Sequence, residues 1–183
     1  MAEAEGRRAR RKGRRWAMKA LFMWDARGDG EADLLVDDAQ RMELAGGVDV
    51  EGAAADRAQA RSFAQRIVAG AIAHRDVIDP VLESVAARWS VGRMAAVDRA
   101  ILRVATYELL YDDTPEAVAV SEAVELAKQY STAESPGFVN GLLGAIAPRR
   151  AGADGAEAGK GRRPSRPPAR PAGDPPRRRS EKA

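Results

Sequence analysis

The sequence predicts an all-α fold, a bundle of about seven helices with disordered basic termini. Three observations carry that prediction. Residues 98–147 hold three successive apolar series at helical spacing, parted by sharp breaks. A longer series of the same period runs through Phe63, Ile67, Ala71 and His74. Residues 151–183 are dominated by Arg, Pro, Gly and Ala with no apolar period, so they cannot bury a core.

Taken in order, residues 1–9 read as a disordered basic arm, residues 10–147 as one helical domain and residues 148–183 as a disordered Arg/Pro-rich tail. Gly13 weakens helicity ahead of Arg14, which favours a flexible start. Beyond it, Arg11, Arg15, Met18 and Phe22 fall on nearly one helical face, while Ala17, Ala20, Leu21 and Trp24 fall on others that can meet the core. A loop at Arg27–Gly30 precedes a short helix from Asp33 to about Glu43, with Leu35, Ala39 and Met42 inward. The small, Gly-rich residues 45–55 read as a mobile loop. The series from Asp56 continues past Pro80, where a kink or restart is expected. Ser90 is placed to cap a short turn through Met94.

The stretch from Asp98 to Ala147 organises the rest. Ile101, Ala105 and Leu109 recur every four residues until Asp112-Asp113-Thr114-Pro115 stops the helix, because a proline pushes the preceding residue out of the α region. The next helix carries Val120, Val124 and Ala127 on one face. In the last, Ser135 can cap, Pro136 suits the first helical position, and an apolar series follows at Phe138, Leu142 and Ile146. Gly141 sits inside that helix at a cost of about 1 kcal/mol relative to alanine. Two readings are open: a close helix crossing at Gly141 with Asn140 merely solvated, or a surface that uses both residues.

Charge is unevenly spread. Residues 1–15 hold seven Lys/Arg against two Glu (+5), and residues 148–183 hold eleven Lys/Arg against four Asp/Glu (+7). With a total of +3, residues 16–147 carry −9. An acidic body with basic ends points to a polyanion met through the ends. A basic helix with an aromatic at Phe22 fits RNA, since arginines hold phosphates and an exposed ring stacks on an unpaired base. Arg162-Arg163 and Arg177-Arg178-Arg179 in the tail would add salt-sensitive affinity.

Cysteine is absent, so no disulfide, thiolate metal site or cysteine nucleophile is available. His74 is the single histidine and reads as a helix-surface residue rather than a ligand. No phosphate loop, His-Glu-x-x-His or Gly-x-Ser-x-Gly occurs, so neither an enzyme nor a cofactor is expected. No apolar run of about 18 residues is present, and no membrane span is expected.

Four blocks, DRAILR (98–103), YELL (107–110), the Pro-x-x-Val-Ala-Val-x-Glu-Ala-Val-Glu-Leu-Ala-Lys run (115–128) and FVNG (138–141), resemble the bacterial transcription antitermination family NusB in order and spacing. RRKGRRWAMKALFMWD (10–25) resembles that family's Arg-rich first helix. The resemblance implies two small helical subdomains packed around the first helix, and a cytoplasmic factor that binds boxA RNA together with NusE, a small-subunit ribosomal protein. The RNA polymerase antitermination complex is the implied setting. Carried over by position, the RNA surface comprises Arg10, Arg11, Lys12, Arg14, Phe22, Lys128, Glu134, Phe138 and Asn140, and the NusE-facing contacts are Asp98 and Arg103. Ser121 departs from the family's usual asparagine, and Ser135-Pro136-Gly137 from a bulkier, more polar run.

Two rivals are weighed. Ribosomal-RNA cytosine methyltransferases carry a similar domain, but this chain has no cysteine for their chemistry. A self-associating protein-interaction module, with a possible homodimer, would also use exposed Phe22 and Phe138.

Overall fold

The computed structural model describes residues 2–46, 54–86 and 89–147. The described elements are α1 (Ala2–Arg27), α2 (Ala32–Ala45), α3 (Ala54–Ala73), α4 (Arg75–Val85), a 3₁₀ turn (Val91–Arg93), α5 (Ala96–Tyr111), α6 (Glu116–Tyr130) and α7 (Ser135–Ile146). Among the described residues there are no strands, and no helix is long and apolar enough to cross a membrane. The tail expected at 148–183 and most of the loop expected at 45–55 lie outside the described residues.

α1 corrects the expectation of a disordered arm, because the helix is continuous from Ala2. Its early turns are held by packing. Ala9, Lys12, Gly13 and Trp16 are all buried, and α1 lies against α3. A Cβ on Gly13 would fall 2.7 Å from the Ala60 carbonyl oxygen and 2.8 Å from Phe63 Cδ1. The glycine that weakens an isolated helix is therefore what lets two helices touch. Local propensity lost to tertiary contact.

The α1 face expected to stay outward is mixed. Met18 is buried, whereas Phe22 is 40% exposed. Burying chains such as Leu21 and Ile67 contributes roughly 1.5–3 kcal/mol each before conformational entropy is counted.

On α2, Leu35 and Ala39 point inward as expected, but Met42 is 58% exposed and Glu43 is buried in its place. The reason is electrostatic: Arg15 Nη2 and Lys19 Nζ donate to Glu43 at 2.6 and 2.9 Å. Burial raises the Glu43 carboxyl, but the Arg15 and Lys19 bonds outweigh it and hold the group below its ordinary value.

The long pattern from Asp56 breaks at His74 (φ −111°, ψ 20°), six residues before the expected site at Pro80. Pro80 is accommodated inside α4, forgoing one backbone bond. His74 stacks edge-on against Tyr111, with centroids 4.2 Å apart, and Tyr111 stacks on Tyr107. At the 3₁₀ turn, Ser90 makes no side-chain cap. The Glu83 carboxylate instead accepts from the Val91 N–H at 3.0 Å.

α1, α2 and α3 pack on one another, and α4 to α7 form a second group in which α5 touches α4, α6 and α7. α1 and α3 also lie on α5, so one hydrophobic core runs through both groups. α5 is the shared spine. Ile101, Leu102, Val104, Ala105 and Leu109 are buried around its circumference, as expected for a helix enclosed on most sides.

Candidate nucleic-acid interface

α7 sets out the first part of the interface. Val139, Leu142, Leu143 and Ile146 are buried, which leaves Asn140, Gly141 and Gly144 on the exposed side. A Cβ built at Gly137, Gly141 or Gly144 meets nothing within 4 Å. The reading of Gly141 as a close helix crossing is thereby overturned; the crossings of that kind are at Gly13 and at Gly70, which lies under the Tyr107 ring. α7 presents bare backbone to solvent.

Beside it, Lys128 and Asn140 line a groove of about 480 Å³ between α6 and α7, with Val120, Ser121 and Gly144. Lys128 Nζ donates to Glu125 at 2.7 Å, an exposed pair that a phosphate can displace at little cost. The spacing puts Val120 and Val124 on one face of α6 with Ala127, and of the three only Ala127 is fully buried. The two valines are partly buried and form the groove wall, while Ala119, Ala123 and Leu126 face the core.

α1 divides its cations between surface and core. Arg10 and Arg11 are exposed, and Arg11 Nε lies 3.6 Å from Glu122 Oε2. Lys12 and Arg14 are each 3% exposed. Arg14 Nε donates to both Glu108 oxygens (3.1 and 3.0 Å) and Nη2 to Oε1 (2.8 Å), and the guanidinium lies 5.2 Å over the Phe63 ring. These two positions are corrected. A guanidinium committed to a buried carboxylate cannot also meet a solvent-borne phosphate without exposing that carboxylate unpaired.

A second cleft of about 330 Å³ brings Asp98, Glu134 and Phe138 together with Trp89 and Met94. Glu134 is exposed and Phe138 half-buried against the core. Ser135 was expected to cap α7; it occupies the first helical position, and Glu134 holds the cap position without a side-chain bond. The Ser135 hydroxyl donates to Asp98 Oδ2 at 2.8 Å, while the buried Asp98 Oδ1 has no hydrogen-bond partner.

Arg103 does not join Asp98 at this surface, which corrects its assignment as a partner contact. It is buried, with Nε and Nη2 on Asp79 (2.8 Å each) and Nη1 on Asp25 (2.6 Å). Asp25 also accepts from Arg99 at 2.6 Å. Burial lowers the Arg103 pKa, but the bonds to Asp79 and Asp25 outweigh it and raise the group above its ordinary value. Burial likewise raises Asp25, and the arginines more than reverse it. The cluster locks α1 to α4 and α5.

Sequence reasoning missed the structural anchors Glu108, Asp25 and Asp79, and the aromatic Trp89, which is 58% exposed at the Phe138 cleft. Glu108 carried a signal: a carboxylate between Tyr107 and Leu109, beside the apolar stripe of α5. Trp89 carried none, since a single tryptophan at a helix end is compatible with core or surface.

A model of the NusB family matches residues 11–148. A transcription antitermination protein NusB of Symbiobacterium thermophilum is 46% identical over 152 residues, covering 81% of this chain and 95% of that protein. A protein of the same description from Kineococcus radiotolerans is 44% identical over 140 residues, covering 76% and 93%. Among solved structures, NusB of T. maritima superposes with a TM-score of 0.63 at 34% identity, covering 76% of this chain and 90% of that one. A chain from a crystal structure of antitermination factors NusB and NusE in complex with dsRNA superposes with a TM-score of 0.63 at 26% identity, covering 78% and 98%.

Proposed function

The chain belongs to the NusB family, and on that premise we propose that it is a transcription antitermination factor that binds boxA-type RNA together with NusE. It supports processive transcription of ribosomal RNA operons within the RNA polymerase antitermination complex of the cytoplasm. Its work is binding rather than chemistry. The observation that carries this reading is the exposed side of α7, where Asn140, Gly141 and Gly144 serve no packing role and border the Lys128 groove.

In this reading Arg10, Arg11 and Lys128 hold phosphates, which positions the strand without reading it. Asn140 reads a base edge through its amide, and Phe22 and Phe138 offer rings for stacking. The bare α7 backbone lets ribose or base approach closely. Glu134 stands at the rim as an acceptor for an exocyclic amine. Asp98, which lines the cleft beside Trp89 and Phe138, faces NusE. Residues 10–147 form the RNA-binding domain, and the basic tail adds sequence-independent affinity.

The test is a titration of labelled boxA RNA and a scrambled RNA of equal length, with and without NusE, at two salt concentrations. Preference for boxA that strengthens with NusE supports the reading. Equal binding of both RNAs in the presence of NusE overturns it in favour of a helical protein-interaction module, with self-association through Phe22 or Phe138 as the next measurement.

A further inference from the structure

A cleft of about 750 Å³ opens where the first turns of α1 face α3 and the α5–α6 junction, a volume typical of ligand-binding clefts. Three exposed guanidinium side chains stand around it: Arg7 and Arg10 from α1, and Arg66 from α3. Arg66 is held in place. Its guanidinium centre lies 5.1 Å over the Phe63 ring, Nη1 bonds Asp112, and the side chain is still 48% exposed. One such bond occupies one of five N–H donors, so the group remains able to take a phosphate.

The acidic groups nearby are largely committed. Glu108 is taken by Arg14, Asp112 accepts from both Arg66 and the Thr114 hydroxyl, and Glu122 lies beside Arg11. Asp113 is the exposed carboxylate that opposes an anion at this rim. Pro115 and the exposed Val118 add a flat apolar wall suited to the face of a base. Ser121 lines both this cleft and the Lys128–Asn140 groove, so the two depressions form one track along α6.

We propose that single-stranded RNA leaving the Lys128–Asn140 groove passes Ser121 and lays its backbone phosphates on Arg7, Arg10 and Arg66. The protein thereby grips nucleotides that flank its recognition element. This rests on the RNA-binding reading above, which already uses Arg10, and extends it to Arg7, Arg66 and nucleotides that reading does not use. Contacts to phosphate carry no sequence information, so the flank is held whatever its sequence, and its share of affinity is salt-dependent.

The experiment uses the full chain with NusE and three RNAs: boxA without flanks, boxA with a short oligouridine extension at its 5′ end, and boxA with the same extension at its 3′ end. Wild type is compared with Arg66→Gln and with Arg7→Gln, the second standing in if loss of the Asp112 bond unsettles the first. One extension should tighten wild-type binding several-fold and steepen its salt dependence. Each variant should bind unextended boxA as wild type does and lose the gain, the log–log salt slope falling by about 0.7 for each phosphate contact removed. If neither extension tightens binding, or if both variants keep the gain, the flank does not lie in this cleft and the proposal is overturned. Binding of unextended boxA over scramble would still stand in that case. If unextended boxA is bound no better than scramble, the RNA reading itself fails and the cleft proposal with it. If an acidic peptide competes for the cleft and the extended RNA does not, the site belongs to a protein partner and the proposal is again overturned.

Discussion

Arg14 and Glu108 meet in the core, joined by three hydrogen bonds of 2.8–3.1 Å between residues 94 positions apart in the chain. The Thr114 hydroxyl stands beside the pair, its one proton shared between Glu108 Oε1 at 3.0 Å and the nearer Asp112 Oδ2 at 2.7 Å. Removing one partner leaves a buried charge without a counterion, which costs about 3–5 kcal/mol. Arg14→Met and Glu108→Leu should each lower the urea midpoint sharply. The double variant should recover much of the loss, because replacing both members of a buried pair with apolar chains is often close to neutral. Equal destabilisation by the double and the sum of the singles would show that the pair does not act as a unit.

Gly13 and Gly141 should respond to alanine with opposite signs. At Gly13 the new methyl would lie 2.7 Å from backbone oxygen, and overpacking of that kind costs about 1–3 kcal/mol. At Gly141 it meets open space, so the helix should gain up to about 1 kcal/mol. Thermal melts of the two variants give the signs directly. Gly141→Ala should at the same time weaken RNA binding, since the methyl stands where the strand approaches bare backbone. A melt that falls for Gly141→Ala would mean that this face is covered.

Acid should loosen the junctions that Glu43, Asp25 and Asp112 make. For each, burial raises the carboxyl but hydrogen bonds from Arg15 and Lys19, from Arg99 and Arg103, and from Thr114 and Arg66 respectively outweigh it, so the folded pKa lies below the unfolded one. Depressed folded values mean the stabilisation is fully present above the unfolded pKa, about 4 for these groups, and is lost as pH falls through the folded values. Stability measured by denaturant should be flat from neutrality to about pH 5 and decline below about pH 4. In Glu43→Gln part of that decline should vanish.

Arg103 supplies a prediction about recognition as well as stability. Because Asp79 and Asp25 enclose it, Arg103→Lys should destabilise the fold by loss of the bidentate geometry, yet leave the NusE affinity of the folded fraction unchanged. Asp98→Asn should do the reverse, altering NusE affinity more than melting temperature. Calorimetric titration of NusE into each variant separates the two.

The helices of residues 98–147 were legible because their signals are local: apolar spacing, Pro115 and Pro136 as boundaries, and polar breaks between. What failed was decided by contacts distant in sequence. Gly13 reads as a helix breaker until Ala60 is seen against it, and Met42 reads as core until Glu43 is seen holding Arg15 and Lys19. Ser135 reads as a cap until Asp98 claims its hydroxyl. The same cause sorted the candidate site. Asn140, Lys128, Arg10 and Arg11 were placed on the surface as expected, whereas Lys12, Arg14 and Arg103 have the charge of a surface residue and the position of a core one. Charge in a sequence gives no sign of whether a partner lies inside the fold.

The most direct measurement of the central claim is the boxA preference of Asn140→Ala in the presence of NusE, read beside its melting temperature. Asn140 is exposed and borders the Lys128 groove, so its loss should leave the fold intact. Lost contact with a base edge should reduce the ratio of boxA to scrambled affinity, while the salt slope, set by phosphates, stays as in wild type. An unchanged ratio with an unchanged melt would contradict the account, and sequence reading would then have to be sought away from α7.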